Sequence, residues 1–141
     1  MRAALTHPLV GVGTDSGAKA ADGKLSESKS HPRAWGTFPR ILGHYVRDEH
    51  LLPLEEAVRK MTSKAAARVH LTDRGILRQG MAADITVFDA VTIRDVATFE
   101  DPNRYSVGIK HVFVNGRRVV SDGAITTERP GRPLRGPGYK N

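Results

Sequence analysis

No cysteine occurs among the 141 residues. That excludes, within this chain, a disulfide framework, a thiolate nucleophile and any cysteine-based zinc or iron–sulfur site. Long hydrophobic runs are missing too: nothing approaches the roughly 18 apolar residues of a membrane helix. The basic start Met1-Arg2-Ala3-Ala4-Leu5 is followed at once by His7-Pro8, so no signal-peptide core develops. The expectation is a soluble chain, in the cytoplasm, with no membrane partner. Aromatic residues make up only 6%, with a single Trp, and apolar residues reach 39%. Globular chains run to roughly 45–50% when glycine is counted. A core can form, but not a large one.

Charge is unbalanced, with 22 Lys+Arg against 15 Asp+Glu and a net +7. A basic chain raises the question of nucleic acid. The distribution argues against it. The first 50 residues hold seven basic and five acidic residues, and the excess lies in the tail. There Arg117, Arg118, Arg129, Arg132, Arg135 and Lys140 face only Asp122 and Glu128. Those cations stand among Pro and Gly rather than at helical spacing with interleaved aromatics. A solvated tail explains them, and no nucleic-acid partner is expected.

Along the chain the pattern changes several times. Leu9-Val10-Gly11-Val12-Gly13 is a short apolar run without alternation, which reads as a strand buried on both faces of a parallel sheet. Residues 16–34 are polar and rich in Gly, Ser and Lys. A loop of that length is functional or disordered more often than it is a simple connection. Phe38, Ile41, Leu42, Tyr45 and Val46 then fall on one helical face, with Pro39 suited to a first turn. A second helix is expected over Leu54–Met61, with Glu55 and Glu56 at its start and Arg59 and Lys60 at its end, matching the helix dipole. Thr62 or Ser63 is positioned to cap a third, running to about Val69.

After residue 74 the period is that of strands. Asp84–Asp89 reads as one strand. Ile109–Val114 and Arg117–Ser121 flank Asn115-Gly116, the preferred two-residue hairpin turn, because both of its central residues need positive φ. Asp122-Gly123 marks another turn before a short Ala124-Ile125-Thr126 strand. This order is odd for a free-standing domain. A buried parallel strand needs neighbours of its own kind, and the sequence offers none.

Two residues stand out for chemistry. Asp15 follows the apolar run, where the active sites of parallel α/β folds collect at strand ends. A carboxylate there can bind a divalent metal and accept a proton from its water; an Asp in that place can equally just turn the chain. Arg33, in His31-Pro32-Arg33, offers a guanidinium able to hold a carboxylate bidentately, or it is an exposed loop arginine. His31 has no second His at metal-ligand spacing, and His44 and His50 would not share a helix face well.

The stretch Val12-Gly13-Thr14-Asp15-Ser16-Gly17, followed by His31-Pro32-Arg33-Ala34-Trp35-Gly36-Thr37-Phe38-Pro39-Arg40-Ile41-Leu42-Gly43-His44-Tyr45-Val46-Arg47, resembles the C-terminal part of the N-acyl-D-amino-acid deacylases (D-aminoacylases) of the amidohydrolase superfamily. Leu54–Ser63, Gly75–Asp89, Ala97–Pro102, Val112–Gly116 and Arg129–Arg135 resemble the same group. The Gly75–Asp84 element is the least specific of these, since it recurs across many amidohydrolases. The likeness covers nearly the whole chain.

The resemblance implies an α/β plus β architecture. Residues 1–73 would be the C-terminal piece of a (β/α)8 barrel, with its last strand at 9–15 and the following helices at 35–70. Residues 74–141 would be the C-terminal part of a small β-sandwich with its tail. It also implies roles: Asp15 as metal-associated general base and acid, Arg33 paired with the substrate's α-carboxylate, and zinc polarising the amide carbonyl. The reaction would be hydrolysis of an N-acyl-D-amino acid to a carboxylate and a D-amino acid.

Three departures from the family bear on these roles. The spacing from Asp15 to Arg33 is longer than in its best-known members. Thr14 stands in place of the family's Ser, and Ser16 intervenes before Gly17. The family's other metal ligands, its histidines and a cysteine, lie upstream of the matching region, as does the rest of the pocket. One carboxylate does not hold a catalytic zinc, which takes three or four protein ligands. Met1–Pro8 resembles the end of the helix leading into the last barrel strand. The expectation is therefore a fragment, a split gene or a start codon placed inside a longer frame. Such a chain would be inactive alone and a partner for a complementary N-terminal fragment. The alternatives are a non-catalytic remnant or docking module, and an amidohydrolase acting on cyclic amides. The Gly36-Thr37-Phe38-Pro39-Arg40 run argues against the latter.

Overall fold

The computed structural model describes residues 1–17, 20–21, 23–136 and 138–139, and of Leu25 the backbone only. Lys140, counted above with the basic tail, lies outside the described residues. Helix α1 spans Arg2–Thr6. Helix α2, Arg33–Arg40, continues without a break into a π-helical segment, Ile41–Asp48. Helices α3, Leu54–Met61, and α4, Ser63–Arg68, follow. Strands β1, Ile85–Phe88, β2, Ile109–Val114, β3, Arg117–Ser121, and β4, Ala124–Ile125, form one antiparallel sheet in chain order. Among the described residues no helix is long and apolar enough to cross a membrane.

The expected strand at 9–15 is not formed; the segment is irregular, and Leu9 is 80% exposed. The physical reason is the one the sequence raised. A strand of a parallel sheet is held by hydrogen bonds to neighbours on each side, and among the described residues all four strands belong to the antiparallel sheet. Other contacts hold the segment instead. The Lys60 side chain is only 1% exposed, and its Nζ donates to the carbonyls of His7 at 2.6 Å and Val10 at 2.8 Å. Lys64 Nζ donates to the Pro8 carbonyl at 2.9 Å. The last turn of α3 thus does more than complement its own dipole: it ties down the segment that leads to Asp15.

Pro39 lies near the end of α2 rather than in its first turn, because the helix begins at Arg33. A proline there has no N–H for the carbonyl four residues back, that of Trp35. The Ser106 hydroxyl donates to that carbonyl instead, at 3.0 Å. Beyond Pro39 the hydrogen-bond register widens, and the Glu49 amide donates five residues back to His44 at 2.9 Å. Thr62 precedes α4 but does not cap it; its hydroxyl donates backward to the Val58 carbonyl at 2.7 Å.

The core joins both halves of the chain. Leu5, Ile41, Leu42, Leu52, Ala57 and Ile93 are buried together, with Phe88 and Ile109 packed against them. Two glycines let α2 and its π-helical continuation lie close to residues 93–95. A Cβ on Gly36 would come within 2.7 Å of the Asp95 Cβ, and one on Gly43 would collide with the Ile93 carbonyl. Phe38, expected on the buried face, is 40% exposed. Two residues beyond Gly36, it is turned roughly 200° from the docked side at about 100° per residue.

The β half follows its turn chemistry. Asn115 and Gly116 take φ of +48° and +79°, the pair of left-handed residues that a type I′ hairpin requires. Asp122 and Gly123 repeat it at +49° and +80°. The connection between β1 and β2 is a folded arm rather than a simple turn. Its limbs pair at Arg94 and Val107, and its outer residues extend from Asp95 to Ser106.

Candidate functional site

Asp15 and Arg33, the two residues singled out by chemistry, come together. Arg33 Nη2 stands 3.2 Å from Asp15 Oδ2. Both are solvent-facing, with the Asp15 side chain 90% and the Arg33 side chain 46% exposed. Asp15 adopts a φ of +48°, a left-handed conformation that Asp tolerates better than most residues. It lies five residues beyond the last of the carbonyls held by Lys60 and Lys64, that of Val10.

Arg33 is placed from the other side. It opens α2, and its amide donates to His31 Nδ1 at 3.0 Å. The His31 ring meets the edge of Phe99, with centroids 5.0 Å apart. Trp35, two residues on, meets Tyr105 edge-on at 5.3 Å and donates from its indole N–H to Ser30 Oγ at 3.2 Å. His31, itself exposed, touches the protein through these two contacts.

A carboxylate and a guanidinium side by side can hold a proton-accepting group and an anion-binding group at a fixed separation. They do not make a metal site. Among the described residues no three His, Cys, Asp or Glu side chains cluster in a way that could hold a metal ion. Zinc in a catalytic site takes three protein ligands and a water, and Asp15 supplies one. The donor set of this chain does not fit a zinc centre by itself. Nor is the pair enclosed. Two open cavities, of about 440 and 520 Å³, lie elsewhere, the first beside His70, Arg74 and Arg135, the second beside Lys110 and Asp122.

The remaining charges are mostly structural. Arg2 pairs bidentately with Glu49, at 2.8 and 2.6 Å, and His44 Nε2 lies 2.9 Å from the same carboxylate. The Arg2 guanidinium holds the Glu49 carboxyl below its ordinary range. Arg74 is almost buried between Asp73 and Asp84. It pulls the Asp73 carboxyl down and is itself raised, chiefly by its hydrogen bonds to Asp73. Asp84 also accepts the Asn115 amide at 2.7 Å, which fastens the hairpin turn to the start of the sheet. In the tail, Arg117 grips Glu128 at 3.1 and 2.8 Å, and Arg135 lies over the Tyr139 ring at 3.8 Å.

Sequence reasoning missed two groups of residues around the pair. Lys60 carried a signal read only as a dipole partner, although it stands among the apolar residues of its helix. Phe99, Asn103 and Tyr105 sit in a polar connection whose contacts with residues 21–35 no periodicity reveals.

Comparison with known proteins adds the following. The sequence model of the amidohydrolase family matches residues 5–120. A D-aminoacylase from Alcaligenes xylosoxydans xylosoxydans is 51% identical over 114 residues, which is 81% of this chain and 24% of that protein. An N-acyl-D-aspartate deacylase from the same organism is 46% identical over 129 residues, 92% of this chain and 24% of that protein. Among solved structures, N-acyl-D-glutamate deacylase from Bordetella bronchiseptica, complexed with zinc and a phosphonate inhibitor, superimposes with a TM-score of 0.80. It shares 40% identity over 95% of this chain and 27% of its own. The chain thus spans about a quarter of the length of the curated relatives it matches.

Proposed function

The chain belongs to the amidohydrolase family, and from that premise we propose that it forms the C-terminal share of an N-acyl-D-amino-acid deacylase. Such an enzyme hydrolyses the linear amide of an N-acyl-D-amino acid to a carboxylate and a free D-amino acid. Residues 1–73 contribute to its barrel and 74–141 to its β-sandwich. In that setting residues 9–15 gain neighbouring parallel strands and become the last barrel strand. A cytoplasmic location fits a small-molecule substrate of this kind.

The observation that carries the reading is the approach of Arg33, in the His31–Arg47 run, to Asp15, in the Val12–Gly17 stretch, at 3.2 Å. Asp15 takes a proton from the attacking water and returns it to the leaving amine. Arg33 donates a bidentate pair of hydrogen bonds to the substrate's α-carboxylate. Zinc belongs to the complete enzyme. The further ligands it needs come from residues other than these 141, as does the rest of the substrate pocket. A complementary N-terminal barrel segment is the corresponding partner.

An assay of the 141-residue chain alone, with N-acetyl-D-amino acids and added zinc, tests this division of labour. No turnover is expected. Clear turnover by the chain alone would overturn it.

A further inference from the structure

The arm between β1 and β2 makes a series of contacts with the loop that precedes Arg33. The Asn103 side-chain amide donates to the Ser26 carbonyl at 2.7 Å. The Tyr105 hydroxyl accepts the Ala21 amide at 3.0 Å, and Lys29 Nζ donates to the Glu100 carbonyl at 3.1 Å. Phe99 meets His31, while Tyr105 and Ser106 hold Trp35 by ring edge and hydroxyl. Arg33 lies between those last two anchors, and its own amide is bonded to His31.

A loop of this length pays a large entropic cost to hold one residue in place, and the Asp15–Arg33 pair does little to offset it, because both side chains face water. From these contacts we infer that the arm over Phe99–Ser106 is the positioning element of the loop that carries Arg33, with Phe99 and Asn103 as its positioning residues. The arm belongs to the β half of the chain and Arg33 to the helical half. The β half therefore sets where the anion-binding guanidinium sits relative to Asp15. Phe99 is the telling case. It is 72% exposed, so it contributes little to the core, yet its ring packs on the one histidine that the Arg33 amide holds.

That Arg33 receives a substrate carboxylate rests on the deacylase reading; that the arm fixes the loop does not. The experiment separates the two by using the 141-residue chain without substrate or metal. Phe99→Leu, Asn103→Asp and the conservative Phe99→Tyr are compared with the parent. Tryptic cleavage after Lys29 reports the loop, and cleavage after Lys64 in α4 reports the fold, since cutting tracks the population of locally open chain. The His31 ring-proton shifts in the NMR spectrum report the Phe99 contact.

Phe99→Leu and Asn103→Asp should each speed cleavage after Lys29 by roughly fivefold, the change set by losing one modest contact. Cleavage after Lys64 should stay at the parent rate. Phe99→Leu should move the His31 shifts toward those of a free histidine, and Phe99→Tyr should leave both readouts as in the parent. Unchanged loop cleavage with unchanged His31 shifts would overturn the inference. So would equal acceleration at Lys64, because the arm would then serve the fold as a whole. An Arg33 variant without effect on the use of free-acid substrates would rule out the clamp role of Arg33 and leave this result standing.

Discussion

The Arg33 guanidinium stands 3.2 Å from the Asp15 carboxylate at the surface, and the scaffold around each residue, not the ion pair between them, brings them there. Exposed pairs of this kind contribute about 0–1 kcal/mol. Asp15 arrives from a segment whose carbonyls are held by Lys60 and Lys64. Arg33 arrives at the start of α2, fixed through His31 and Trp35. The pairing is thus a product of the folds on its two sides.

Arg33→Ala should for that reason leave stability almost unchanged, within about 0.5 kcal/mol, as measured by urea unfolding. Its effect belongs to substrate. In a complete deacylase, KM for substrates with a free α-carboxylate should rise roughly thirtyfold, the size of about 2 kcal/mol of charge-assisted hydrogen bonding, with little change in kcat. Esterified substrates should show no such increase. An unchanged KM for the free acids would rule out the clamp.

Lys60→Met should behave in the opposite way. The replacement fills a similar volume but strips the donors from the His7 and Val10 carbonyls. A loss of about 1–3 kcal/mol is expected, read as a lower urea midpoint with the same slope. Amide exchange over residues 9–15 should quicken as well. A midpoint equal to the parent's would show that the ammonium does not hold the segment.

Several carboxylates make stability depend on pH. Glu49 is held low by Arg2, Glu56 by Arg59, Asp73 by Arg74 and Glu128 by Arg117. A carboxyl whose folded value is depressed stabilises the fold above its unfolded value, and that contribution is lost as pH falls through the folded one. Urea midpoints should therefore be flat at neutral pH and fall on acidification through and below the ordinary carboxylate range. Arg2→Ala should shrink the acid-side drop. A drop of the same size in that variant would remove the Arg2–Glu49 pair from the explanation.

Zinc gives a further check. With one candidate ligand and no cluster of donors among the described residues, the chain should show no tight stoichiometric zinc binding by calorimetry. Its thermal midpoint should not move with added zinc. Saturable one-to-one binding lost in Asp15→Ala would mean that the chain builds more of a metal site than its donor set indicates.

Much of the local structure was legible in the sequence, because local chemistry determines it. Asn115-Gly116 announces a type I′ turn, and Glu55 and Glu56, with Arg59 and Lys60 a turn later, announce the ends of α3. What escaped was set by partners distant in sequence. The run at 9–13 has the composition of a buried strand, but composition does not supply the neighbours that pairing needs, and the segment stays irregular and exposed. Pro39 lies late in its helix because the helix begins at Arg33, and the Trp35 carbonyl that it leaves without an amide partner is met by Ser106 from the far side of the chain. Lys60 does stand in the last turn of α3 as its helix dipole favours, but its further role is invisible to local pattern, since the carbonyls it binds lie some fifty residues away. Asp15 and Arg33 were found by type and motif; the arm that places Arg33 was not.

The most direct measurement is a reconstitution. The chain is combined with the N-terminal barrel segment of an N-acyl-D-amino-acid deacylase and zinc, and hydrolysis of N-acetyl-D-amino acids is followed for the parent and for Asp15→Ala. The account predicts turnover that needs both polypeptides and falls by at least about 100-fold in Asp15→Ala, the usual scale for losing a general acid–base group. Turnover that survives the Asp15→Ala substitution would contradict it.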